Sequence, residues 1–453
     1  MGAITLAQAA AWCGGKVDAK YENIAFIGAN NDTRKVQPGQ LFVALLGARD
    51  GHDFVPQALE NGAAAVLCSK PMGDVPAILV EDTRIALGLI AKAYRAYLGM
   101  TVVGVTGSVG KSTTKEMIAA VLATQYRVFK TPANHNNDLG MPMAVLSMPE
   151  DTEVAVLEMG MNHFGEIEYL SKIAQPDMGV IINIGTMHIE HLGSQEGILQ
   201  AKMEILSGMK PGGKLHLNGD DAYLRTAEAR LGDRAVYFGH KNVDSPVLGK
   251  NIEETEGKIT FTACLEKEEF PVELPLEGMH HVIDALAAVS VGNALGITAE
   301  NIQKGLGEFQ NMAGRQEIFE AKGCTIIKDC YNAGPESMAA ALNVLGNRKG
   351  RKIAVLGDML ELGNAAPAEH EKVGRLCAEK ADVLLCYGPN SRYMRSGAVA
   401  AGMNADCVKA SEDRDELANA LRQLTKPGDV LLFKGSRGMR MELILEQFLK
   451  TEE

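Results

Sequence analysis

The stretch GVTGSVGKSTT, from Gly104 to Thr114, holds the residue types that phosphate chemistry needs, in a workable order. Glycines let backbone N–H groups wrap an anion, and the N-terminus of a following helix adds partial positive charge. Lys111 can then reach the β- and γ-phosphates of a nucleotide, while the Ser112 hydroxyl can ligate Mg²⁺. The general phosphate-loop pattern has glycine five residues before the Gly110-Lys111 pair, and Val105 stands there instead. The bland alternative is an ordinary strand-to-helix turn with an incidental Gly-Lys-Ser. Context favours the loop: an apolar strand is expected at 102–106, and a helix with Met117, Ile118, Val121 and Leu122 on its apolar positions follows.

Other candidates sit at similar places. Glu158 closes the strand-like EVAVLE, which puts a carboxylate at the sheet edge where the glycine loop lies and suits a Mg²⁺ ligand. His188, in NIGTMHIEHLGS, follows another strand and could complete a metal shell, with His191 as a nearby competitor. The loop TPANHNNDLG carries Asn134, Asn136, Asn137 and Gly140, which also suit a plain turn. Lys202, in LQAKMEIL, falls on a helix where nothing local distinguishes it from a solvated lysine.

These residues need a frame. Strand and helix signals alternate along most of the 453 residues, which predicts α/β units with mainly parallel sheets covered on both faces. Three such units are expected: residues 1–98, ending in the helix-favouring RIALGLIAKAYRAYL; 99–313, carrying the glycine loop; and 314–453, a second doubly wound unit. Strands are expected at 40–45, 63–67, 153–158 and 178–184, and helices from about residues 55, 164, 281, 335 and 370. The segment 249–274, containing KITFTACL, alternates differently and reads as an antiparallel addition.

A formal charge of −12 argues against nucleic acid or an anionic membrane surface as the main partner. A phosphate-bearing small molecule needs only a few converging cations. The eight cysteines show no C-x-x-C pair and suit small buried residues in a reducing cytosol. No apolar run approaches the length of a membrane span. A soluble, cytoplasmic monomer is expected.

A guanine-reading Asn-Lys-x-Asp is missing; the nearest string, Glu379-Lys380-Ala381-Asp382, lacks the asparagine and lies in the distal unit. A phosphate loop followed by a further α/β unit fits a ligase better, with one unit activating a carboxylate and another presenting an amine.

Taken together, TGSVGKS, ANHNNDLGMP, LEMGMNHFGEI, NIGTMHIEHLGS, AKMEI, YNAGPESM, VLGDMLELG and LFKGSRGMRME resemble the Mur ligases, in order and across nearly the whole chain. Thr-Gly-x-x-Gly-Lys-Ser/Thr is that family's own loop form, so Val105 is no defect. NDTRKVQPGQLFVALLGARDGHDF and KGSRGMRME fit the branch that joins D-alanyl-D-alanine to UDP-N-acetylmuramoyl-tripeptide through an acyl phosphate. The resemblance implies a three-domain fold: a UDP-sugar-binding N-terminal domain, a central phosphate-loop ATPase domain and a Rossmann-like C-terminal domain that binds the dipeptide. ATP and Mg²⁺ are implied as cofactors.

Site residues follow by matching positions. Gly107, Ser108, Val109, Gly110, Lys111, Ser112 and Thr113 would hold the ATP phosphates. Ser112, Glu158, His188 and a carbamylated Lys202 would surround magnesium, with Lys111, Glu158, His188 and Lys202 forming the catalytic set. Asn183, His281, Arg315, Asp329, Tyr331 and Asn332 would complete the nucleotide site. Thr33, Arg34, His52 and Asp53 match the UDP-sugar motif, Asn134 and Asn137 the loop beside the sugar peptide, and Ser436 and Arg437 the dipeptide end. Two departures stand out. His281 and Asp284 occupy positions where the family commonly has asparagines near adenine, and Gly334 stands where it often has asparagine. The rival readings are another amino-acid-adding Mur ligase, a folylpolyglutamate-synthase-type ligase, and a non-enzymatic ATP-dependent binding protein. The amine and acid that stimulate ATP cleavage discriminate among them.

Overall fold

The segment TVVGVT is apolar without polar alternation, which suits a strand covered on both faces. In the computed structural model, which describes residues 2–450, Thr101–Thr106 lies inside a nine-stranded sheet. Val154–Glu158 pairs with it in parallel on one side and Met178–Ile181 on the other. Val128–Lys130 lies outside Val154–Glu158, and Lys214–Asn218 then Ala235–Gly239 extend the opposite side, all parallel. The chain thus builds outward in both directions from Thr101–Thr106. That makes its C-terminal end the switch point at which open α/β sheets hold ligands.

Val247–Thr255 joins Ala235–Gly239 in parallel, and Lys258–Cys264 and Glu269–Leu274 complete an antiparallel meander. Residues of Glu269–Leu274 alternate between exposed and buried, as an edge strand with one wet face must. The antiparallel addition expected at 249–274 is this meander.

Before it, Ala29–Asn30, Leu41–Val43, Ala65–Cys68 and Ala77–Leu79 form a four-stranded parallel sheet. The helix Thr83–Leu98 starts where the Asp82 carboxylate accepts the Arg84 and Ile85 N–H groups, and it stops at Gly99, whose φ of 70° a side chain would disfavour. It is mortised into the central part. Tyr94 donates its hydroxyl to the Met148 carbonyl at 3.0 Å, and buried Arg95 reaches the Ala174 and Gln175 carbonyls at 2.7 and 3.0 Å. One apolar cluster runs through Ile4, Leu41, Ile90, Val102, Leu157 and Leu217, so this region shares a core with one face of the central sheet.

After the central sheet comes a six-stranded one, in the order Glu317–Ala321, Cys324–Asp329, Val430–Lys434, Lys352–Gly357, Val383–Tyr387, Val408–Ser411. Its first pair is antiparallel and the rest are parallel. Separate apolar clusters cover its two faces. Helix Ala366–Lys380 begins ahead of the expected residue 370, because Pro367 needs no N–H partner in a first turn. No helix among the described residues is long and apolar enough to cross a membrane.

Candidate active site

The end of Thr101–Thr106 feeds the glycine loop, and helix Lys111–Leu122 begins directly behind it. Gly110 takes φ 85°, and a Cβ there would lie 2.8 Å from an Asp284 carboxylate oxygen, so glycine is required twice over. Asn183 fixes the loop from behind: its side-chain oxygen accepts the Ser108 and Val109 N–H groups at 3.0 and 2.9 Å, and its amide donates to the Val109 carbonyl. Lys111 folds over the loop, donating to the Gly107 and Ser108 carbonyls. Burial holds its amine below the ordinary lysine value; Glu158 opposes that shift and Arg315 adds to it.

Glu158 is buried, and its carboxylate is held from several sides. Ser112 donates its hydroxyl to one oxygen at 2.8 Å, and the Asn136 amide donates to the other at 2.8 Å. Lys115, wholly buried, stands 3.8 Å from Glu158, 3.1 Å from Glu116, and donates to the Thr131 carbonyl at 2.7 Å. Sequence reasoning left Lys115 out and placed Asn136 only in a polar loop. Asn137, beside it, accepts the Gly140 N–H at 2.7 Å where helix Gly140–Leu146 begins, and Asn134 is exposed.

The opposite wall comes from the C-terminal part. Arg315 donates to Ser112 Oγ at 2.9 Å, and its guanidinium lies 4.0 Å from the centre of the Tyr331 ring. Asp329 pairs at 2.5 Å with buried Lys434, which also donates to the Asn332 carbonyl. Lys434 is a second cation that the sequence reading missed. Together with the loop, these residues line a cavity of about 330 Å³.

His281 and Asp284 also line it, on helix His280–Ala294. His281 Nδ1 lies 3.1 Å from one Asp284 oxygen, and the other accepts the Thr114 hydroxyl at 2.6 Å. His281 and Asp284, which together make the first departure from the family pattern, are therefore bonded to each other and to the phosphate-loop helix. Gly334 has its own reason, since a Cβ there would lie 2.7 Å from Met187 Cγ.

Lys202 is buried rather than solvated. Desolvation, with Lys111 adding to it, drives its amine far below the usual lysine value, and no carboxylate pairs with it among the described residues. It does not line the large cavity. His188 does, but its Nδ1 lies 2.6 Å from a Glu361 oxygen, out of hydrogen-bond alignment.

A smaller cavity, of about 140 Å³, shares Met187, His188, Asn332 and Ala333 with the large one and reaches Ser436 and Arg437. Ser436 is committed internally, donating to the Ala333 carbonyl and accepting the Leu360 N–H. Arg437 is exposed and bonded to Glu442 at 2.8 Å.

The N-terminal set lies apart from both cavities. Thr33 donates to Gln57, Arg34 pairs with Asp32 with its side chain 82% exposed, and Asp53 is exposed. His52 is buried, with Nε2 accepting the Ser69 N–H at 2.9 Å and Nδ1 facing Asp50 at 2.6 Å.

The donor set near Ser112 and Glu158 consists of hard oxygens at a phosphate loop, which fits Mg²⁺ held by one carboxylate and nucleotide oxygens. Among the described residues, no cluster of three or more His, Cys, Asp or Glu forms a self-sufficient metal cage.

Known proteins resemble the chain over its whole length. Residues 23–95 match the Mur ligase family catalytic domain, 105–292 the Mur ligase middle domain, and 314–437 the Mur ligase glutamate ligase domain. The UDP-N-acetylmuramoyl-tripeptide--D-alanyl-D-alanine ligase of Bacillus subtilis is 41% identical over 441 residues, 95% of each chain. A crystal structure of MurF from Acinetobacter baumannii superposes with a TM-score of 0.91 at 33% identity, covering all of both chains. MurF of Thermotoga maritima in complex with ADP gives a TM-score of 0.82 at 32% identity, over 93% of this chain and 97% of that one.

Proposed function

The chain belongs to the Mur ligase family, and from that premise we propose that it joins D-alanyl-D-alanine to the terminal carboxylate of UDP-N-acetylmuramoyl-tripeptide, driven by ATP cleavage. Full-length similarity to a ligase of that name supports this branch. The observation that carries the chemistry is the cleft itself, where the glycine loop, the Ser112–Glu158 pair and the Arg315–Tyr331 wall line one cavity.

The tripeptide carboxylate attacks the γ-phosphorus of ATP, ADP leaves, and an acyl phosphate forms. The dipeptide amine then attacks the acyl carbon, the C–O bond breaks, and phosphate departs with the oxygen that the carboxylate supplied. A free carboxylate is a poor electrophile, so the phosphoryl group is needed. Two anions must approach one another. Lys111 and Arg315, both facing the loop, supply positive charge where negative charge develops, in a site where burial strengthens each interaction. The N-terminus of helix Lys111–Leu122 adds its dipole. Ser112 and Glu158 would hold Mg²⁺, with His188 at the rim, and the ion would supply electrostatic stabilisation and alignment.

Buried Lys202 would be carbamylated, since a desolvated neutral amine is the form that adds carbon dioxide. An intact mass lacking that addition in bicarbonate buffer counts against it. Thr33, Arg34, His52 and Asp53 would serve the UDP-sugar end, and Asn134 and Asn137 the sugar peptide. Arg34, largely exposed, has the most freedom to reach a ligand. Water must be kept from the acyl phosphate, so the C-terminal wall has to be closed during chemistry.

Phosphate release provides the test. With ATP, Mg²⁺ and UDP-N-acetylmuramoyl-tripeptide, sustained release is expected only once D-alanyl-D-alanine is added. Release that ignores the dipeptide contradicts the assignment.

A further inference from the structure

Lys115 is a charged residue beside the cleft that the proposed reaction does not use. It lies one turn along helix Lys111–Leu122 from Lys111, among Thr114, Ile118 and Leu122, all of them buried. Burying an ammonium group is costly unless it is paired and hydrogen-bonded. An apolar side chain would therefore suit this position better if packing were the only demand on it.

What Lys115 meets is charge. Its Nζ stands 3.8 Å from Glu158 Oε2 and 3.1 Å from Glu116 Oε1, and it donates to the Thr131 carbonyl at 2.7 Å. Thr131 locks the arrangement, because its Oγ1 also accepts the Glu158 N–H at 3.0 Å. Glu116 has a second cation in Lys130, near the surface. Glu158 is buried, and neutral donors, Ser112 and Asn136, hold its two oxygens. Lys111 and Arg315 line the cavity, where phosphate oxygens can engage them. Lys115 has no exposed surface and does not line that cavity, so its charge stays beside Glu158 whatever the cleft holds.

We propose that Lys115 is the built-in counter-ion of Glu158, neutralising the buried carboxylate and so making divalent-cation binding conditional on the nucleotide. The proposal rests on reading the cleft as a magnesium–nucleotide site and adds how the metal is admitted. A single carboxylate already matched by a fixed cation offers an incoming ion little attraction, and the phosphate oxygens of a nucleotide supply the missing negative charge. Metal then enters with the nucleotide and leaves with it. Lys115 reaches no substrate and acts through Glu158, as a positioning residue.

Mn²⁺ binding to the full-length, nucleotide-free protein tests this, with unbound Mn²⁺ read from its paramagnetic resonance signal. In Lys115→Met the affinity for Mn²⁺ should rise about tenfold or more over wild type, because a fixed positive charge no longer repels the ion. Lys115→Met combined with Glu116→Gln keeps the buried charges balanced, should show the same rise, and carries the test if the single variant does not fold. Adding Glu158→Gln to either should abolish the rise. Loss of packing alone would lower the melting temperature without tightening the metal. A smaller rise, no change or weaker binding in the folded variant overturns the proposal, as does a rise that survives Glu158→Gln. Calorimetry of ATP binding to wild type, with and without Mg²⁺, separates the two readings. If Mg²⁺ tightens ATP while the variants bind Mn²⁺ as wild type does, the counter-ion role alone falls; if Mg²⁺ leaves ATP affinity unchanged, the magnesium–nucleotide reading of the cleft falls with it.

Discussion

Lys111 is the residue on which the chemistry concentrates most. Its amine already lies over the loop carbonyls and is desolvated, so it acts in a medium where charge is felt strongly. Lys111→Ala should lower turnover by about 10² or more, as removal of one electrostatic stabiliser does. Near-normal turnover in that variant would remove the role. The loop was legible in the sequence because glycines, a lysine and a hydroxyl occur at fixed spacing between a strand and a helix. Lys115 was not legible. A lysine inside a helix reads as solvated, and only the fold brings the Thr131 carbonyl, Glu116 and Glu158 around its amine. Lys202 carried no local signal for the same reason, because burial is a property of packing, not of the string LQAKMEIL.

At the level of elements, the strand Lys214–Asn218 carries a histidine into the layer under helix His280–Ala294. His216 is fully buried, and its Nδ1 lies 2.7 Å from Ser290 Oγ. Desolvation lowers its pKa from 6.5 to about 4. Between those two values the unfolded chain binds a proton that the folded chain refuses, so stability falls as pH falls through that window. The loss should approach roughly 3 kcal/mol by pH 4 and be absent above pH 6.5. Denaturant unfolding of wild type and His216→Gln across this range checks it; equal slopes would contradict it. The central strands were legible because each is a short continuous apolar run, as a strand covered on both faces must be. Glu317–Ala321 and Val408–Ser411 were not, being short edge strands whose residues are only partly buried. Helices Ser391–Ala400 and Arg414–Leu424, which precede and follow Val408–Ser411 and pack against it, were also missed.

For the whole molecule, helix Pro335–Asn347 acts as a bar fastened to the central part at both ends. Glu336 accepts the Thr186 N–H and hydroxyl at 2.7 and 3.0 Å. About 20 Å away, by helix length, Arg348 forms a bidentate pair with buried Glu277 at 2.5 and 2.8 Å. Hinges between the three units would fall near residues 99 and 314. A shared core and the Arg95 contacts oppose motion at the first, whereas polar contacts dominate the second. A double variant, Glu336→Ala with Arg348→Ala, should therefore show a larger radius of gyration in solution scattering and a higher KM for ATP. Scattering profiles identical to wild type would contradict the latch. The three-unit organisation was readable from the alternation of strands and helices. The fastening was not, because its partners lie about 70 to 150 residues apart in sequence.

The proposed reaction requires a carboxylate oxygen to pass to phosphate. With ¹⁸O at both oxygens of the terminal carboxylate of UDP-N-acetylmuramoyl-tripeptide, plus ATP, Mg²⁺ and D-alanyl-D-alanine, mass spectrometry of the products reads that transfer directly. Pentapeptide should form, with one labelled oxygen in each inorganic phosphate released. Pentapeptide accompanied by unlabelled phosphate, or phosphate released with no pentapeptide, would contradict it.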